Sequence, residues 1–116
     1  MSADNPKVWP FKVSPTTAVV TSTYVTSGKL PIQVVSHEYD EKDGDIWQFH
    51  SNNGDFRTVV MRLVSLAEIV AIDPSVEILA TKLPFGHSAR RENRSDPWVI
   101  APEVSADNQV IKGDRA

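Results

Sequence analysis

The sequence predicts an α+β fold: a single small domain with an antiparallel sheet of four to six strands and two short helices packed on one face. Three observations predict it. Short β-branched and aromatic runs alternate with turn signals between Thr16 and Val64. Capped helix starts follow at Ser65 and at Asp73. The chain has 116 residues, an ordinary size for one domain and too few for two.

Residues 1–15 carry Pro6, Pro10 and Pro15 without sustained periodicity, which predicts an irregular leader with Val8, Trp9 and Phe11 docking on the domain edge. The domain proper is expected over 16–101. Its first strand is TTAVVTSTYV at 16–25, and Ser27-Gly28-Lys29 is a turn. Pro31 opens a second strand, where a missing N–H is tolerated. Ile32, Val34 and Ser36 take one face of it, and Gln33, Val35 and His37 the other.

The next stretch, 38–45, is read as an exposed hairpin loop. It sets five carboxylates, Glu38, Asp40, Glu41, Asp43 and Asp45, against Lys42, and Gly44 lets the chain turn. The return strand IWQFH places Trp47 and Phe49 together on one face. SNNGD at 51–55 is a turn, and RTVVMRLV at 57–64 is apolar enough to suggest an inner strand with Val59, Met61 and Leu63 on its apolar face.

Ser65 with Glu68 forms a capping box, with Leu66, Ile69 and Val70 as the apolar stripe. Asp73-Pro74 starts a second helix whose face is Val76, Leu79, Ala80 and Leu83. Residues 87–94 read as a strand or an extended arm and 96–100 as a terminal strand. Residues 102–116 are polar and aperiodic, the pattern of a flexible tail. Trp47, Phe49, Met61, Leu63, Ile69, Val76 and Leu79 are expected to form one core.

The order of an acidic stretch, a WQF strand, VMRLVSLAEIVAIDPS and then LPFGHSARRE…DPWV resembles the immunity-protein-33-like family over about residues 16–100. These are small bacterial domains associated with immunity to polymorphic toxins. The resemblance implies a small α+β binding domain whose partner is a protein such as a cognate toxin. It implies no catalytic residue.

Composition narrows the function classes. Hydrophobic residues make up 41% and charged residues 23%, the balance of a folded globular protein. There is no cysteine, so disulfides and thiolate metal sites are excluded. No segment reaches the roughly 20 apolar residues of a membrane span, and no signal peptide is legible, so the expected location is cytoplasmic. A net charge of −3 argues against nonspecific nucleic-acid binding.

A calcium loop counted from Asp40 fails, because Lys42 falls on a ligand position and the glycine arrives too early. No HExxH, GxSxG or phosphate loop is present, and His37, His50 and His87 show no ligand spacing. No cofactor, metal or catalytic residue is therefore expected. The remaining candidates are partner-binding residues: the five carboxylates, Arg90 and Arg91 beside Arg94, and Trp98, which either caps the core or stands out as an anchor. The expected function is non-enzymatic protein recognition. The alternative is a small hydrolase or other enzyme built on histidines and carboxylates.

Overall fold

β-branched residues make Ala18–Ser22 a strand, β1, but it ends earlier than expected. From Thr23 the chain winds into one helical turn, α1 (Thr23–Thr26), because Val25 is drawn into the core. Gly28, at φ 78°, supplies the left-handed conformation that ends the turn. Burial has overridden the β-propensity of TYV. The computed structural model of the chain describes residues 8–55 and 57–103. The expected flexible tail therefore lies outside the described residues beyond Glu103.

β2 (Val34–Asp40) and β3 (Gly44–His50) form a hairpin that reaches well into the acidic stretch. This corrects the reading of 38–45 as a loop. Only residues 41–43 turn, and the register runs unbroken from Val34 opposite His50 to Asp40 opposite Gly44. Asp40 makes so tight a turn possible, since its carboxylate accepts the N–H groups of Lys42 and Asp43, each at 2.9 Å. Gly44 adopts φ 77° on the return.

β4 (Met61–Ser65) is followed directly by α2 (Leu66–Ile72). The Ser65 side chain accepts from Glu68 N at 3.1 Å, so half of the capping box forms as read. A 3-10 turn (Pro74–Ile78) leads into the short α3 (Leu79–Lys82), capped by Asp73. β5 (His87–Arg90) and β6 (Val99–Pro102) complete the set. β6 starts later than expected because Asn93 and Asp96 close a turn through mutual hydrogen bonds and Pro97 has no N–H to add to a ladder.

The sheet order is β4-β1-β3-β2-β5-β6. Every neighbouring pair is antiparallel except β1 and β3, which run parallel with Val20 opposite Gln48. Thr21, fully buried in that seam, donates its hydroxyl to the Phe49 carbonyl at 2.7 Å. Among the described residues no helix is long and apolar enough to cross a membrane.

One face of the sheet carries the core. Val19, Val35, Trp47, Phe49 and Ala89 pack there against Leu66, Ile69, Val76, Leu79 and Leu83 of the helical layer, with Phe11 and Ile32 filling in from the connections. Within the leader Phe11 is buried and Trp9 packs against the core, whereas Val8 stands exposed and does not dock.

Met61 and Leu63 do not join the core. β4 is an edge strand, not an inner one, and Val64 faces inward opposite Val19 while Leu63 is 72% exposed. The strand's faces are the reverse of those its apolar pattern suggests. Arg62 covers this edge by donating to the carbonyls of Val59 and Met61 at 3.0 and 2.8 Å.

Candidate recognition surface

The hairpin register places Val35, His37 and Tyr39 on the core side of β2, opposite Phe49, Trp47 and Asp45 of β3. Aromatic side chains on this side build a column that leads from the core to the surface. Phe49 and Trp47 lie parallel, centroids 6.1 Å apart. His37 stacks on Trp47 at 3.9 Å, Phe85 leans on His37 at 4.4 Å, and Tyr39 meets Phe85 edge-on at 5.3 Å. Phe11 braces Trp47 from the side at 5.1 Å. The inner end is fully buried, while Tyr39 and Phe85 at the outer end are 58% and 48% exposed.

His37 fixes this end. One ring nitrogen, Nδ1, lies 2.6 Å from the Leu83 carbonyl, which can only accept, so Nδ1 carries a proton and donates. The other, Nε2, lies 3.2 Å from the Asp45 carboxylate. The His37 carbonyl in turn accepts from Gly86 N at 2.8 Å. One residue thus ties β2, β3 and the Pro84–Gly86 loop together and sets where Phe85 stands.

The acidic residues divide around this column. Glu38, Asp40, Glu41 and Asp43 are exposed at the hairpin end, with Asp40 occupied in capping the turn. Asp45 departs from the expected exposed loop: it is half-buried and folded onto His37. Glu38 and Arg90 face the uncovered side of the sheet and line a shallow depression there with His50 and Glu103. Burial, and next to it the hydrogen bond and charge of Glu38, push the Glu103 carboxyl up to about 7, against the opposing pull of Arg90 and His87. Burial also lowers the His50 pKa.

Arg91 is not part of a solvated basic patch. Its side chain is buried, with Nη2 2.5 Å from Asp73 Oδ2. Nε donates to the Ile32 carbonyl, and Nη1 donates to Ser75 Oγ and the Arg94 carbonyl. Trp98 lies half-buried with its ring 3.9 Å from the guanidinium carbon, so both serve the wall beneath α3. Asp73 holds the other end by capping the 3-10 turn through Ser75 N at 3.1 Å. Arg94 is more exposed, donating to the Ile72 carbonyl at 2.6 Å.

The three histidines bond to different partners. His50 is on the uncovered face, bonded to Gln48 at 2.9 Å, while His87 lies opposite His37 and bonds the Phe85 carbonyl at 3.0 Å. Among the described residues no group of three or more His, Asp or Glu is placed to hold a metal ion. Sequence reasoning missed Tyr39 and Phe85 as surface aromatics and the pairing of His37 with Asp45. The alternation that put Trp47 and Phe49 on one face, continued across the hairpin, was the available signal for Tyr39. Comparison with family models, curated proteins and solved structures finds no match to this chain, so the resemblance to immunity-protein-33-like domains stands on its motifs alone.

Proposed function

We propose that this protein is a non-enzymatic recognition domain whose hairpin end binds a basic segment of a protein partner. The observation that carries this reading is the exposed Tyr39–Phe85 pair, anchored on a buried aromatic column beside a hairpin end that exposes Asp40, Glu41 and Asp43. Interfaces concentrate their energy in rigid aromatic anchors, and a surrounding rim of one charge steers and selects an opposite partner. A cognate toxin with a basic surface is one such partner, in keeping with the family resemblance.

The hydrolase reading rests on the 3.2 Å contact of His37 with Asp45. Both nitrogens of that ring face acceptors and the ring is buried between Trp47 and Phe85, an arrangement suited to holding a loop rather than to moving a proton. Ser36, the adjacent hydroxyl, points to the opposite face of the sheet.

The test is comparative capture from a lysate of the source organism. Wild-type bait is set against Tyr39→Ala/Phe85→Ala and against Glu41→Gln/Asp43→Asn. The reading expects a partner retained by wild type and lost from both variants. A partner held equally by all three baits would place recognition elsewhere.

A further inference from the structure

Beside the aromatic column, a cleft of about 550 Å³ opens between the leader and α3. Pro10 and Lys12 form one wall, Ala80 to Phe85 the other, and His37, Asp45 and Trp47 the floor. Its size is that of a small-molecule site. Two features define what would fit. The walls are apolar and flat, with the Pro10 and Pro84 rings and a Phe85 ring that remains 48% exposed, surfaces that stack on a planar group. The charge at the mouth is cationic: Lys12 and Lys82 are both exposed, and neither has a carboxylate within ion-pair distance among the described residues. The one acid in the cleft, Asp45, is engaged by His37.

Two other openings are less suited. The cleft of about 590 Å³ beneath Trp98 is lined by an Arg91 whose hydrogen bonds are already made within the protein. The depression on the uncovered face measures only about 210 Å³ and brings Glu38 and Glu103 together.

We propose that the cleft floored by His37 and Trp47 binds a small planar aromatic ligand carrying an anionic group, with the ring between Pro10 and Phe85 and the anion between Lys12 and Lys82. This site shares Phe85 with the proposed protein-binding surface but none of its exposed acidic residues, and it does not depend on that reading. Binding is through stacking and charge, and no bond is made or broken.

The test uses 1-naphthoate as the probe and 1-naphthylmethylammonium as its oppositely charged counterpart, titrated into the full chain by two-dimensional NMR. Naphthoate is expected to give saturable shifts of the Trp47 indole N–H and of the Leu83 and Phe85 amides. The ammonium compound should bind at least about tenfold more weakly. The Lys12→Ala/Lys82→Ala variant, which alters only exposed side chains, should lose naphthoate affinity by at least about tenfold, while Lys29→Ala keeps it. Equal binding of the two compounds, unchanged affinity in the double variant, or no saturable shift into the millimolar range would each overturn the proposal.

Discussion

The His37 imidazole lies flat on the Trp47 indole, centroids 3.9 Å apart and planes 15° from parallel, while its two nitrogens reach Leu83 and Asp45. This stack joins the core to the surface that carries Tyr39 and Phe85. His37→Ala removes a buried ring and leaves the Leu83 carbonyl without its donor. The expected cost is about 2–4 kcal/mol, from the lost stack and the unsatisfied polar groups. Urea unfolding measures it. A loss below about 0.5 kcal/mol, the range of an ordinary surface substitution, would mean the ring is not the tie described here.

Asp73 and Arg91 form the other buried polar joint, reinforced by Ser75 and the Ile32 carbonyl. Removing one partner leaves an uncompensated buried charge, so Arg91→Ala is expected to cost about 3–5 kcal/mol. Asp73→Ala should cost a similar amount, since the cap on the 3-10 turn goes with it. Arg94, whose Nε is 3.7 Å from Asp73, offers partial relief in the Arg91 variant. A double-mutant cycle checks the pairing, and the double variant should be less damaged than the two single losses added together.

Leu63 tests the orientation of β4. With 72% of its surface exposed, Leu63→Thr should change stability by less than about 0.5 kcal/mol. Val64→Ala, on the inward face, should cost about 1–2 kcal/mol. The opposite ranking in urea melts would show the strand facing the other way.

These same residues show what the sequence made legible. The Ser65–Glu68 cap and the Asp73-Pro74 start are contacts within three residues, so composition and spacing expose them. The shared face of Trp47 and Phe49 follows from strand alternation alone. By contrast, an apolar run such as RTVVMRLV has the same periodicity in an inner strand and at an edge, and only pairing with β1 decides which face turns inward. The bonds of Arg91 to Asp73 and of His37 to Asp45 cross 18 and 8 residues and need the tertiary register before they exist. The acidic stretch misled for a related reason. Its charge density suggested a loop, yet strands tolerate outward carboxylates at a hairpin end when the turn is capped, as Asp40 caps this one.

The Glu38–Glu103 neighbourhood predicts a pH dependence. Between its ordinary value and about 7, Glu103 keeps a proton in the folded state that the unfolded chain releases, so stability falls as pH rises through that window and levels off above it. The slope should be small because Glu103 is only partly buried and solvent screens it. His50, held neutral by burial, works with the opposite sign: stability falls as pH drops below its unfolded value. Glu103→Gln should therefore lose less stability than wild type between pH of about 5 and 8. Urea midpoints across that range provide the measurement, and parallel curves for the two proteins would contradict it.

The recognition surface itself is tested most directly by the association rate of a captured partner across a salt series, for wild type and for Glu41→Gln/Asp43→Asn. Asp40 is left in place because it caps the turn. Exposed charges act over about 10 Å at about 0.1 M ionic strength, so steering by this rim must weaken as salt rises. The account predicts a wild-type rate that falls with salt, a lower rate with a shallower salt slope in the neutralised variant, and faster dissociation for Tyr39→Ala/Phe85→Ala. Identical rates, salt slopes and dissociation in all three proteins would contradict it.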